Sequence, residues 1–159
     1  MRTLIVLLGT VSLLVAGCGG GGSASGTTTA PTGPPLTKAA YQAKLHQIST
    51  DISNSIGKTS NTGSIPKEDV DKLVKAFHTF ADRLATVNPP PAVKAIHARL
   101  VTTMRELGDD FPNIADKLNN SAKDPSKAIQ ALLGAKPIQE LIKIGNEFKA
   151  KGYELNLSP

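Results

Sequence analysis

Hydrophobic residues recur at helical spacing along most of the chain beyond residue 36. In the first such run, steps of three and four residues place the apolar side chains on one face of a helix. The positions are Tyr41, Leu45, Ile48, Ile52 and Ile56. Thr37 stands before the run as the expected N-cap, and residues 58–64 form a polar loop after it. The pattern predicts a first amphipathic helix between Thr37 and Gly57.

The second predicted helix starts near Pro66, since proline is favoured in the first helical turn. Acidic residues follow at once, where negative charge complements the helix dipole: Glu68, Asp69 and Asp71. Its apolar stripe is Val70, Leu73, Val74, Phe77, Ala81 and Leu84. The helix must end before Asn88-Pro89-Pro90-Pro91, because consecutive prolines cannot continue it.

The third predicted helix has a heptad-like apolar seam. One set of positions is seven residues apart: Val93, Leu100, Leu107 and Ile114. A second set fills the steps between them: His97, Met104, Phe111 and Leu118. Pro112 lies inside this helix and lacks a backbone donor, which predicts a kink or a break around Gly108 to Phe111.

The last third of the chain contains an interrupted helix. Asp124-Pro125 is a cap followed by a proline at the first helical position. The apolar residues that follow are Ala128, Ile129, Leu132 and Leu133. Gly134 and Pro137 should separate them from a final helix that carries Ile138, Leu141, Ile142 and Phe148. Because each stripe needs a partner to cover it, residues 36–159 are predicted to be all-α, an antiparallel up-and-down bundle of four helices whose last helix is interrupted near Gly134-Pro137.

The N-terminal residues have a different composition. Met1-Arg2 supplies a positive charge, and Thr3 to Ala16 form an apolar stretch that ends in small residues, which is typical of a secretory signal peptide. The stretch is shorter than the roughly 20 apolar residues of a membrane span. Residues 1–17 are therefore predicted to be an export signal. Gly19 to Pro35 are Gly, Ser, Thr and Pro almost throughout, and we expect a disordered tether.

Cys18, the chain's single cysteine, lies at the junction of these two segments. The stretch Leu14-Val15-Ala16-Gly17-Cys18 resembles the bacterial lipoprotein signal. The resemblance implies cleavage between Gly17 and Cys18, a diacylglycerol thioether on Cys18, and in many cases acylation of the new amino group. Two or three acyl chains anchor a protein stably where one is marginal. The alternatives are a free thiol at Cys18 and an uncleaved N-terminal anchor.

Composition and charge narrow the function classes. Hydrophobic residues make up 40% of the chain and aromatic residues 4%, without tryptophan, which favours packed helices. The net charge is +5, but the lysines are interleaved with acidic residues, which indicates solvated helix faces and no nucleic-acid partner. The residual positive charge would favour a position near an anionic membrane. Beyond Cys18 no cysteine is left for thiol catalysis or a cysteine-ligated metal.

Three histidines fall on three different predicted helices, where a bundle can bring them together around a metal: His46, His78 and His97. Each lies on or beside an apolar stripe, so packing at the edge of the core is the competing interpretation. The Glu-x-x-His pattern of di-iron bundles is missing. Met104 is better explained as core than as a haem ligand. No cofactor is predicted.

No catalytic motif is present. Asp109 and Asp110 are adjacent, so on a helix they point about 100° apart and cannot act as a carboxylate pair. The chain contains neither Gly-x-Ser-x-Gly nor a phosphate-binding glycine loop that precedes a helix. We expect that the protein is not an enzyme.

Four short stretches resemble the small, uncharacterised lipoproteins that are common in actinobacteria. They are residues 36–41 (LTKAAY), 87–93 (VNPPPAV), 96–100 (IHARL) and 151–155 (KGYEL). The resemblance implies an envelope location and a helical fold, with no established activity. Members often carry one cysteine in the first helix and one near the C-terminus, which would pair; the corresponding regions here, around Ser49 and Ser158, have none.

Together these features predict a lipoprotein anchored through Cys18 on the extracytoplasmic face of the cell membrane. Its bundle is expected to be a binding or interaction module, with the membrane as one partner through the anchor and an envelope protein as another. The alternative is a small-ligand or metal carrier, with His46, His78 and His97 as the candidate ligands and the bundle interior as the pocket.

Overall fold

The computed structural model describes Pro31 and residues 33–56 and 64–154. These residues form five α-helices and one 3₁₀ turn. The helices are α1 (Lys38–Ile56), α2 (Lys67–Ala85), α3 (Lys94–Asn120), α4 (Pro125–Leu133) and α5 (Lys136–Ala150), and the turn Pro91–Val93 precedes α3. The predicted signal peptide, Cys18 and most of the predicted tether lie outside the described residues.

Helices α2 and α3 form an antiparallel pair that is the spine of the bundle. The rings of Phe77 and Phe111 have centroids 5.2 Å apart, while Arg105 donates to Asp82 at 3.1 Å. Residue numbers therefore rise along α2 as they fall along the facing part of α3, which shows that the two helices are antiparallel. Helix α1 packs against α2, α5 packs against α3, and α4 contacts both α3 and α5. The predicted all-α bundle with an interruption in its last helix is confirmed.

Two predicted helix starts are confirmed by their hydrogen bonds. The backbone N–H of Ala40 donates to Oγ1 of Thr37 at 3.3 Å, which caps α1. The Asp124 carboxylate accepts from the backbone N–H groups of Ser126 and Lys127, at 3.1 and 3.3 Å, which caps α4 ahead of the proline. In both cases a side-chain oxygen satisfies backbone donors that have no partner within the helix.

Helix α3 continues through Pro112 without a break. The proline ring lies on the exposed side of the helix, while Leu107 before it and Ile114 after it are both buried. Because both halves of α3 anchor in the same core, packing holds the helix together against a local proline penalty of about 3 kcal/mol.

The core is built mainly from the predicted stripes. The largest fully buried side chains are Tyr41, Phe148, Leu84, Leu100, Ile114, Ile144 and Val93. On α2 the buried face is rotated from the prediction, since Ala76 and Phe80 are buried whereas Leu73 and Val74 are only half-buried. Helix α4 contributes no buried residue, so the expectation that every stripe is covered was wrong there.

Candidate functional site

The start of the described chain is fixed to one end of the bundle. The backbone N–H of Leu36 donates to the Asn88 carbonyl at 3.0 Å, and the Asn88 side-chain amide donates to the Gly33 carbonyl at 2.6 Å. Asn88 lies between α2 and α3, so these bonds hold residues 33–36 against the connection between the two spine helices. The preceding residues therefore join the bundle at this end.

An aromatic cluster closes the same end. The ring of Tyr41 stacks on Phe148 with centroids 6.2 Å apart and meets the edge of Tyr153 at 5.9 Å. The ammonium group of Lys38 lies 5.3 Å from the centroid of the Tyr153 ring, within cation–π distance. Gly152 has φ of +74°, a left-handed conformation that turns the chain after α5.

These contacts explain what the four lipoprotein-like stretches have in common. Residues 36–41 supply Leu36 and Tyr41, residues 87–93 supply Asn88, residues 96–100 supply His97, and residues 151–155 supply Tyr153. These five residues take part in the hydrogen bonds and ring contacts at the end of the bundle that holds residues 33–36. In this structure the four stretches share a structural role, closing that end of the bundle.

His97 is part of a buried hydrogen-bond chain. Its Nε2 lies 3.0 Å from the Leu84 carbonyl oxygen, which can only accept, so Nε2 carries the hydrogen. Nδ1 is then the acceptor, and the Tyr41 hydroxyl donates to it at 2.8 Å. Burial lowers the pKa of His97 and raises the pKa of Tyr41, and each group is neutral near pH 7. Both ring nitrogens of His97 are thus committed to structural bonds.

The other two histidines have separate surroundings. Nε2 of His78 lies 3.3 Å from the Asp109 carboxylate, and the half-buried ring lies over Gly108. His46 is exposed on α1. Within residues 33–56 and 64–154, no group of three or more His, Cys, Asp or Glu side chains is arranged to hold a metal. The three histidines therefore form no common site in this part of the chain.

The charged residues between α3 and α5 serve to join the helices. Nη1 of Arg99 donates to both carboxylate oxygens of Glu147 at 2.8 Å, and its Nε donates to Glu140 at 3.1 Å. Hydrogen bonds from Arg99 lower the pKa of the Glu140 carboxyl and raise the pKa of the Arg99 guanidinium.

The adjacent carboxylates Asp109 and Asp110 have different partners. Asp109 faces His78, whereas Asp110 accepts from the Asn113 amide at 3.0 Å. Asp109 and Asp110 therefore do not act together as a carboxylate pair.

Helix α4 and part of α5 carry an apolar set that the sequence pattern assigned to the core. In the part of the chain that the structure describes, four large hydrophobic side chains are exposed: Ile129 at 58%, Leu132 at 38%, Leu133 at 50% and Ile142 at 51%. Helix α4 contacts α3 and α5, and its half-buried residues are Ala128 and Ala131. Alanine is too small to draw the neighbouring leucines and isoleucine into the core. We call Ile129, Leu132 and Leu133 the α4 apolar face.

The same segment is rich in positive charge. Residues 121–151 contain six lysines and three acidic residues, an excess of three positive charges in a chain whose net charge is +5. Two of the three acidic residues, Glu140 and Glu147, are bound to Arg99, and the third, Asp124, caps α4. All six lysines are exposed: Lys123 and Lys127 lie in or beside α4, Lys136 and Lys143 in the first half of α5, and Lys149 and Lys151 at its end.

A small apolar cleft lies where α1, α2 and α3 meet. Its volume is about 150 Å³, and it is lined by Ser49, Ile52, Ser53, Phe77, Phe80 and Met104. Ser49 is 6% exposed, so its side chain is a nearly buried polar group in the cleft lining. The sequence signal for this cleft is weak, since Ser49 and Ser53 simply border the predicted apolar face of the first helix.

No protein-family model, curated protein or solved structure matches this chain. In residues 33–56 and 64–154, none of the helices combines the length and apolar character needed to cross a bilayer. The geometry of the described residues is accordingly the main basis for a functional proposal.

Proposed function

We propose that the protein is a lipid-anchored lipoprotein of the cell envelope whose helical bundle is an interaction module on the extracytoplasmic face of the membrane. The observation that carries the interaction role is the α4 apolar face, where Ile129 and Leu133 are at least half exposed. Exposed hydrophobic side chains grouped on one element are typical of surfaces that contact a partner.

The anchor is supported by the residues around Cys18. Small residues precede the chain's only cysteine at the end of an apolar run of signal-peptide size. A flexible tether of the length of residues 19–35 has a root-mean-square span of roughly 20–25 Å. Such a tether would hold the bundle close to the bilayer while it samples many orientations, which raises the local concentration of any envelope partner.

The test is mass spectrometry of the protein from its native host, combined with crosslinking in intact cells. We expect a diacylglycerol-modified Cys18 at the mature N-terminus and recovery of the protein in the membrane fraction. A Cys18→Ala chain should lose both the modification and the membrane recovery, whereas Ser49→Ala should keep them. An unmodified thiol at position 18 would overturn the anchor, and a lipid-modified chain without crosslinked partners or lipid contacts would overturn the interaction role.

The cleft favours a second candidate function, the carriage of a small uncharged apolar molecule. Its lining contains no charged residue, and the hydroxyls of Ser49 and Ser53 are its side-chain hydrogen-bonding groups. A cavity of about 150 Å³ is large enough for a single aromatic ring. The expected ligand class is therefore a ring-sized apolar molecule with one hydroxyl or N–H group.

Phenol is a suitable probe for this carrier function. In the chain that begins at residue 18, Met104 is the only methionine, so methyl-labelled methionine gives one NMR signal from the cleft lining. We expect phenol to shift this signal with saturation, Ser49→Ala to weaken binding, and Ile52→Phe to abolish it by filling the cleft. Ser126→Ala, an exposed serine on α4, is the matched control. An unshifted Met104 signal would rule this function out.

A further inference from the structure

We propose that α4 and the lysine-rich segment around it rest on the surface of an anionic phospholipid bilayer. This inference rests on the proposed function and names the partner of the interaction surface. In this arrangement the α4 apolar face enters the boundary between headgroups and acyl chains, and the lysines of residues 121–151 contact the lipid phosphates.

The shape of α4 fits an interfacial helix. At about 100° per residue, Ile129, Leu132 and Leu133 occupy one side of the helix, whereas Ser126, Lys127 and Gln130 occupy another. The third side, with Ala128 and Ala131, faces the bundle. A helix that presents an apolar side and a polar side outside its own protein core can lie in the plane of a membrane interface.

Charge complementarity selects the bilayer as the occupant. Within residues 121–151, Lys127 pairs with Asp124 and Lys143 with Glu140, while Arg99 also engages Glu140 and Glu147. The other four lysines are exposed and have no acidic partner among the described residues: Lys123, Lys136, Lys149 and Lys151. Lysine stems are long enough for the ammonium groups to reach phosphates while neighbouring apolar side chains enter the membrane. Anionic membrane surfaces attract such clusters within about a Debye length.

The size of the apolar set also favours a bilayer over a protein. A specific protein interface uses roughly 20–30 residues on each side and requires a complementary shape. The described residues expose only four large hydrophobic side chains, three of them on a nine-residue helix. A fluid lipid surface adapts to a small apolar set, so these few side chains are sufficient for contact.

The tether makes this weak contact effective. Helix α3, with 27 residues, is about 40 Å long, and α4 follows its C-terminal end, away from residues 33–36. Since residues 33–36 are held against the bundle, the fourteen residues from 19 to 32 are left to span the distance, and they reach at most about 50 Å. The bundle can therefore lie along the bilayer with both the lipid anchor and α4 on the membrane. Because the second contact is then intramolecular, modest intrinsic affinity suffices.

The absence of tryptophan from the chain allows a direct test with single tryptophan reporters. Ile129→Trp and Leu133→Trp are placed on the α4 apolar face, and Gln47→Trp, at an exposed position of α1, is the matched control. Each chain, beginning at residue 18, is coupled through Cys18 to a maleimide phospholipid. The vesicles contain brominated phosphatidylcholine with or without phosphatidylglycerol. Circular dichroism verifies that each variant is folded.

In vesicles with phosphatidylglycerol, the two α4 reporters should be blue-shifted and at least twofold more quenched by bromine than the α1 control. Adding Lys123→Glu, Lys127→Glu and Lys136→Glu to the Leu133→Trp chain should remove this difference. Absence of α4 quenching in anionic vesicles would overturn the proposal. Equal quenching without phosphatidylglycerol would overturn its electrostatic part, and crosslinking of α4 to a protein without lipid quenching would assign the surface to that protein.

Failure of this inference is distinguishable from failure of the proposed function. If Cys18 carries no lipid in the native host, the anchored lipoprotein is wrong, whatever the synthetic coupling shows. If Cys18 is lipidated but the α4 reporters stay in water, the anchor stands and the bilayer contact of α4 is wrong.

Discussion

The hydroxyl oxygen of Tyr41 lies 2.8 Å from Nδ1 of His97 and links α1 to α3 in the buried end of the bundle. Replacing Tyr41 by phenylalanine keeps the ring contacts with Phe148 and Tyr153 but leaves Nδ1 of His97 without its donor. A buried polar group without a partner costs about 1–3 kcal/mol. We expect Tyr41→Phe to lower the free energy of unfolding by that amount in urea titrations.

The matched control for that substitution is Tyr153→Phe, in the same aromatic cluster. Tyr153 is buried, but its hydroxyl has no hydrogen-bond partner among the described residues. We expect a change of less than about 0.5 kcal/mol there, as for substitutions that break no specific interaction. Equal losses for the two variants would contradict the assigned role of the Tyr41–His97 bond.

The burial of His97 predicts a pH dependence of stability. Because burial lowers the pKa of His97 in the folded chain, the unfolded chain takes up this proton at a higher pH than the folded chain does. The stabilisation is therefore complete above the ordinary histidine pKa of about 6.5 and declines as the pH falls from there toward the folded pKa. Unfolding in urea should require less denaturant at about pH 5.5 than at about pH 7.5.

Two substitutions test whether His97 is the source of this pH dependence. His97→Gln should reduce the difference in unfolding free energy between the two pH values, and His46→Gln, at an exposed position of α1, should leave it unchanged. If His97→Gln retained the full pH dependence, another group would be responsible.

The effect of Gly108→Ala on the free energy of unfolding should depend on the side chain at position 78. A Cβ at position 108 would lie 2.9 Å from Nε2 of His78, so Gly108→Ala must displace the ring from Asp109. Alanine also improves helix propensity by about 1 kcal/mol. We expect Gly108→Ala to be neutral or destabilising in the native background and to stabilise by up to about 1 kcal/mol in a His78→Ala background. Equal effects of Gly108→Ala in the two backgrounds would show that the imidazole contact is not limiting.

Pro112 is the clearest site for stabilising the bundle. It lies on the exposed side of the continuous helix α3 and removes one backbone hydrogen bond. Pro112→Ala restores the donor and should raise the free energy of unfolding by about 1–3 kcal/mol. Glu106→Ala, at an exposed position of the same helix, is the control, with an expected change within about 0.5 kcal/mol. Thermal unfolding followed by circular dichroism measures both, and no gain for Pro112→Ala would indicate that the proline is required locally.

Local signals were sufficient for the framework of the fold. Thr37 and Asp124 cap α1 and α4 as predicted, and the predicted seam from Val93 to Ile114 is buried except at Phe111, which is half-buried. Periodic apolar positions and capping residues act over a few neighbours, so they can be interpreted without the rest of the structure. Of the kink or break predicted near Pro112, the break does not occur, because contacts of both halves of α3 with the core outweigh the local preference.

The sequence by itself determined that this chain contains amphipathic helices, where most of them begin and end, and that its single cysteine stands between an apolar N-terminal stretch and a stretch of Gly, Ser, Thr and Pro. Only the tertiary structure decided that α4 leaves Ile129, Leu132 and Leu133 exposed, that His97 bonds to Tyr41 and Leu84, and that Ser49 borders an open cleft. An apolar stripe shows that a helix has a face to cover. Whether that face is covered depends on the lengths, offsets and side-chain sizes of the other helices, which are set by contacts between residues far apart in the chain.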